Sequence, residues 1–161
     1  MKQIVIAVFV ILIVGCVPPK KKIDYSKGMG FVVEKKVDSL RLFLDNYSAS
    51  EIESDSMLNY FEAYVLLSEE NYEKSIKSID KSISLGKDVN NLYLKGMIHM
   101  AHGDTIESIE AFEESLKVFP DFPNSLNYLG ILYTKKSLYD KAELLFRRAL
   151  VGIQPQLRQI P

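Results

Sequence analysis

The 161 residues contain no tryptophan and one cysteine, Cys16. A single cysteine excludes an intrachain disulfide and a thiolate zinc site built by one copy. Histidine is almost as scarce, with only His99 and His102, so imidazole chemistry is confined to one place in the chain. No stretch alternates apolar and polar residues with period two, which argues against a sheet. Charge of one sign is also lacking: 20 Lys and Arg against 21 Asp and Glu leave a formal net charge of −1. Residues 30–134 hold nine basic and 18 acidic side chains, so the middle lacks the basic footprint that nucleic acid requires. The basic groups gather at the two ends, at residues 17–29 and 135–161.

Past residue 14, no apolar run approaches the roughly 20 residues a membrane-spanning helix needs. The start of the chain is different. Lys2 precedes an almost unbroken apolar run over residues 4–14, followed by Gly15 and Cys16. A short charged start, an apolar core of about 7–15 residues and a small residue at the cut is the pattern of a secretory signal. The stretch Ile13-Val14-Gly15-Cys16 resembles the lipobox of bacterial lipoproteins. The resemblance implies cleavage after Gly15, a lipidated Cys16 and an address in the bacterial cell envelope. Val17, rather than Asp, follows the cysteine, which leans towards the periplasmic face of the outer membrane rather than the inner membrane. Residues 1–15 are therefore expected to be the signal peptide. Residues 16–30, with two Pro, four Lys and little apolar content, are expected to be a flexible tether.

From Val32 onwards the apolar residues recur at helical spacing. Val33, Val37, Leu40, Leu44 and Tyr47 form one stripe, predicting a helix from Phe31 to about Tyr47. Beyond it the chain repeats itself. Leu92, Gly96, Ser108, Phe112 and Ser115 are matched by Leu126, Gly130, Ala142, Phe146 and Ala149, and Gly130 stands 34 residues after Gly96. A weaker copy upstream places Ala63 in the glycine position and Ser75, Ile79 and Ser82 in the others. Gly86, Gly103 and Pro120 fall where helices must end.

This pattern resembles the tetratricopeptide repeat. The resemblance implies an all-α fold: a short right-handed solenoid of about three helix pairs plus an N-terminal helix. The expected divisions are an N-terminal capping helix and loop over 31–55, repeats at 56–88, 89–122 and 123–156, and a tail at 157–161. Each repeat buries its apolar face only by stacking on the next.

The resemblance also implies where a partner would bind. Groove positions on the first helix of each repeat hold Tyr60, Tyr64 and Leu67, then Tyr93, Met97 and Met100, then Asn127, Ile131 and Thr134. Met57, Asn90, Asn124 and Lys135 occupy neighbouring positions. Aromatic and Met side chains suit adaptable protein interfaces, and Asn can pair with a peptide backbone. Packing that fills a short solenoid is the alternative reading of the same side chains. Some family members clamp chaperone C-termini with Lys, Asn and Arg, but those positions hold Tyr60, Tyr64 and Leu94 here, so that role is rejected. Leu144, Leu145 and Val151 stand where the preceding repeat has Glu110, Ala111 and Lys117, which predicts an apolar interface on the last helix; the alternative is that Leu157 and Ile160 of the tail fold back over it.

No catalytic set is apparent. His99 and His102 are three residues apart, a spacing that can hold a metal, but His99 sits in a packing position, so no metal site and no cofactor is expected. The expected function is a non-catalytic, lipid-anchored adaptor that binds another envelope protein and helps assemble a complex, in the manner of a pilotin. A structural subunit that self-associates through the last helix is the alternative, and a metal-dependent enzyme the least favoured.

Overall fold

The computed structural model describes residues 22–157, with side chains through Val151. The expected signal peptide, Cys16, the part of the expected tether up to residue 21 and the tail from residue 158 lie outside the described residues. Nine helices follow in order among the described residues: α1 Tyr25–Val33, α2 Val37–Leu44, α3 Ala49–Glu53, α4 Ser56–Ser68, α5 Tyr72–Leu85, α6 Val89–His102, α7 Thr105–Val118, α8 Pro123–Lys135 and α9 Tyr139–Leu157. No strand occurs among them. The fold is an all-α, tetratricopeptide-repeat-like solenoid.

Helix starts are set by local chemistry. Asp24, Asp55 and Asp88 each accept a backbone N–H of the first turn, satisfying donors that no helical carbonyl can reach. Ser48 with Glu51 and Asp88 with Asn91 close reciprocal capping boxes. Pro123 opens α8, where its missing N–H costs nothing.

The turns within pairs share one geometry. Lys35, Glu70, Gly103 and Ser137 have φ of 55°, 59°, 100° and 59°. The next residue's N–H bonds five residues back in every case: Lys36 to Phe31 at 2.8 Å, and Asn71 to Leu66, Asp104 to His99 and Leu138 to Tyr133 at 2.9 Å. This is the Schellman turn that satisfies the last carbonyls of a helix. Three of the four left-handed positions are not glycine, a strain of about 1 kcal/mol each.

The first of these turns corrects two expectations. The single helix predicted from Phe31 to Tyr47 is broken at Lys35 into α1 and α2. The tether read over residues 16–30 is helical from Tyr25, and Gly28 within it is buried. Together α1 and α2 form a fourth, degenerate hairpin with the same turn as the three repeats. Gly28 stands seven residues before Lys35, as Ala63, Gly96 and Gly130 do before Glu70, Gly103 and Ser137.

Close approach explains the small residues. A Cβ on Gly96 would stand 2.6 Å from Phe112 Cε1, and one on Gly130 would stand 2.6 Å from Phe146 Cε1. Ser75 Oγ donates to Ala63 O at 2.7 Å and Ser108 Oγ to Gly96 O at 2.9 Å, so these buried hydroxyls are paired across each hairpin. Two apolar clusters result. One surrounds Leu40, Leu58, Phe61, Ile79 and Ile98; the other surrounds Phe112, Leu126, Leu132 and Leu145.

Candidate functional site

The first helices of the four hairpins, α1, α4, α6 and α8, line one face of the solenoid. At its N-terminal end lies a cavity of about 250 Å³ lined by Met29, Ser56, Met57, Tyr60, Ser82, Asp88, Asn90 and Asn91. Its polar atoms are mostly committed. One Asp88 carboxylate oxygen accepts the Asn90 and Asn91 N–H groups at 2.7 and 3.1 Å. Asn91 donates to Gly86 O at 2.6 Å and accepts from the Asp88 N–H at 2.9 Å. The exposed Asn90 amide and the two thioethers remain for a ligand.

The predicted groove residues fall into three groups. Tyr60 is only 9% exposed and belongs to the core, with one edge on the cavity, so packing accounts for most of it. Tyr64 and Leu67 are half-buried against that core, and the Tyr64 hydroxyl donates to Val32 O of α1 at 3.4 Å. Tyr93, Met97 and Met100 are half-buried against the second cluster. Tyr93 sits 5.7 Å from Phe122 and 5.9 Å from Tyr128 by ring centroids, an aromatic knot at mid-groove. Asn127 and Thr134 are exposed on α8 and Ile131 is half-buried between them. The Thr134 hydroxyl is turned inward to Gly130 O at 2.9 Å.

Burial holds the groove phenols in their neutral form. It pushes Tyr60 up to about 12, raises Tyr64, and with Tyr128 nearby raises Tyr93 as well. These hydroxyls are therefore donors throughout the physiological range. Met29 and Val32 of α1 extend the same face; Met29 falls in the segment whose composition suggests a tether, and Val32 at the start of the helix expected from Phe31. The sequence signal for a helix reaching back to Met29 is Gly28, 35 residues before Ala63.

The last helix differs from expectation at one position. Leu144 and Val151 are 61% and 66% exposed, but Leu145 is 8% exposed and sits in the second cluster. Leu145 is in phase with Ala142 and Ala149, the stripe that faces α8. Tyr139 and Leu150 of the same helix are also exposed, at 64% and 63%.

The two histidines converge on one carboxylate. His99 Nδ1 lies 3.1 Å and His102 Nδ1 2.8 Å from Asp104 Oδ2. The hydrogen bond from His102, then that from His99, holds the Asp104 carboxyl below its ordinary range. Among the described residues no group of three or more His, Cys, Asp or Glu is arranged to hold a metal. Among them, too, no helix is long and apolar enough to cross a membrane.

Comparison with known proteins agrees with this architecture. Residues 89–122 match the tetratricopeptide-repeat family model. The photosystem I assembly protein Ycf3 of Prochlorococcus marinus is 30% identical over 67 residues, which are 42% of this chain and 37% of that protein. Ycf3 of Cyanophora paradoxa is 24% identical over 139 residues, 81% of this chain and 72% of that protein. The repeat protein MJ1428 of Methanocaldococcus jannaschii is 28% identical over 129 residues, 79% of this chain and 22% of that protein. The chain thus spans well under half of the first and third of these relatives. A crystal structure of MamA superposes with a TM-score of 0.69 at 18% identity, covering 81% of this chain and 77% of that one. MamA from Desulfovibrio magneticus RS-1 gives 0.63 at 17%, covering 82% and 75%. At such identity these structures speak for the fold alone.

Proposed function

We propose that this tetratricopeptide-repeat chain is a non-catalytic adaptor, lipid-anchored in a bacterial envelope, that holds a segment of another envelope protein during assembly of a complex. The observation that carries the reading is the groove face. It presents half-buried Tyr64, Leu67, Tyr93, Met97 and Met100, uncharged and adaptable, beside the exposed amides of Asn90 and Asn127. Such a surface takes apolar side chains of an extended or helical segment and pairs with its backbone. Relatives named as assembly proteins of photosystem I support an assembly role. The lipobox-like Ile13-Val14-Gly15-Cys16 supports the anchor, and Val17 supports the outer membrane.

A pull-down from detergent-solubilised membranes tests the groove. The wild-type chain should retain a specific envelope protein that Tyr93→Ala with Met97→Ala releases. Deleting the gene should leave a secretin or comparable envelope complex unassembled or misplaced. If every such complex forms normally without the protein, the pilotin-like reading is wrong.

A further inference from the structure

We infer that the cavity at the N-terminal end of the groove is a socket for one long basic side chain, arginine or lysine, of the segment that the groove holds. The inference rests on the groove reading and adds the chemistry of its anchor. The cavity, of about 250 Å³, has room for a single long side chain. Met29 of α1 and Met57 and the Tyr60 ring of α4 supply its apolar walls. Ser56 and Ser82 are spent on each other: each hydroxyl donates to the other residue's backbone carbonyl, at 2.9 and 2.8 Å.

The polar atoms left over are acceptors. Asp88 Oδ1 takes the Asn90 and Asn91 N–H groups, and among the described residues no donor reaches Asp88 Oδ2. Tyr60 is only 9% exposed, yet its hydroxyl has no hydrogen-bond partner among the described residues, and the residue borders the cavity. A polar group on a side chain so buried ordinarily finds a partner, and a ligand in the cavity would supply it. Burial, then Tyr64 and Asp88 nearby, holds this phenol neutral, so it meets a ligand as a hydroxyl. The Asn90 amide at the rim adds a third oxygen.

Charge singles out the occupant. Of the residues lining the cavity, Asp88 alone is charged. The cation next to it in sequence, Lys87, is engaged elsewhere, donating to Glu114 Oε2 at 3.1 Å. The carboxylate therefore has no counter-charge of its own. An acidic side chain would meet Asp88 with like charge, and an apolar one would leave its free oxygen and the phenol unanswered. A lysine or arginine lays its methylenes against the thioethers and the ring and offers its N–H groups to Asp88 Oδ2, the Asn90 amide oxygen and the Tyr60 oxygen.

Methyl NMR on the full chain, labelled at methionine, tests this with two small probes. One is N-acetyl-arginine methylamide; the other is the citrulline counterpart, which has the same length and stem but no charge. The arginine probe should shift the Met29 and Met57 methyl signals and spare Met97 and Met100 at mid-groove. It should bind about fivefold tighter than the citrulline probe, as one exposed ion pair implies. Asp88→Asn should erase that ratio, while Asn caps a helix as well as Asp and lets α6 keep its start. Equal binding of the two probes by the wild-type chain, a ratio that survives Asp88→Asn, or shifts confined to Met97 and Met100 overturns the inference. So does tighter binding of N-acetyl-norleucine methylamide, which would make the cavity a plain apolar socket. The probes need no partner protein, so the two readings fail separately. An arginine preference with nothing captured in the pull-down sinks the groove reading, and capture without an arginine preference sinks the socket.

Discussion

Gly28→Ala and Gly30→Ala lie two residues apart on α1 and should act in opposite directions. A Cβ at Gly28 would fall 2.4 Å from Phe61 Cε2 and 2.6 Å from Phe61 Cζ. Phe61 is fully buried and cannot retreat, because Phe43 and Tyr60 each stand 5.9 Å from its ring centroid. Overpacking of this kind costs about 1–3 kcal/mol. Replacing Gly by Ala in a helix returns about 1 kcal/mol, so the net loss is about 0–2 kcal/mol. At Gly30 a Cβ would meet nothing within 4 Å, and only the helix gain of about 0.5–1 kcal/mol remains. The two variants should thus differ by roughly 1–3 kcal/mol, or about 3–9 °C in Tm for a domain of this size. Thermal denaturation followed by circular dichroism, on a soluble Cys16→Ser form, reads the difference. Amide exchange over residues 25–33 reads it locally, rising for Gly28→Ala and falling for Gly30→Ala. Coincident Tm values and unprotected amides throughout α1 would mean that this segment is the tether its composition suggests, and the docking of Gly28 on Phe61 would be wrong.

Leu145→Ala should destabilise by about 2–4 kcal/mol through the cavity it leaves, whereas Leu144→Ala one residue earlier should change stability by less than about 0.5 kcal/mol; urea titration separates them. Asp104 has its carboxyl pKa lowered in the folded state, so its contribution is present above the unfolded value and lost as pH falls through the folded one. Asp104→Asn should therefore flatten the acid limb of a Tm-against-pH curve and leave its neutral region nearly parallel to wild type. Ser137→Gly relieves a left-handed φ of 59° and should raise stability by up to about 1 kcal/mol, while Gly103→Ala, at φ 100°, should lower it by a similar amount. Cys16→Ser should move the protein from the membrane to the soluble fraction without altering its Tm; membrane retention of that variant would refute lipidation as the anchor.

The two later repeats were legible because their glycine and aromatic positions recur at fixed spacing, and close packing of Gly96 on Phe112 and Gly130 on Phe146 demands that spacing. The degenerate hairpin was not. Leu40 and Tyr47 fill positions that hold Ser or Ala in the other repeats, and Lys, Ser and Gly before residue 31 have the composition of a spacer. Burial of Gly28 depends on a ring 33 residues away, which local composition does not report. Leu145 departs from the expected interface because its counterpart Ala111 is itself buried, so the change from Ala to Leu enlarges the core and not the surface. At the groove, the residue positions followed from the resemblance, but the division between core and surface at Tyr60 required the packed structure.

The Schellman turns also fix where this chain can change length. The close-approach residues 28, 63, 96 and 130 each precede their left-handed residue by seven positions, at 35, 70, 103 and 137. From each left-handed residue to the next close-approach residue the distance is 28, 26 and 27 positions. The hairpin is thus the rigid unit of inheritance, and the connection between hairpins absorbs insertions and deletions. One residue added between Gly86 and Asp88 or between Phe119 and Phe122 should be accepted with the fold intact. One added between Gly96 and Gly103 would rotate the helix by about 100° against its partner and expel Phe112 from its seat. An insertion scan scored by soluble expression should therefore trace a pattern of tolerance with the period of the repeat.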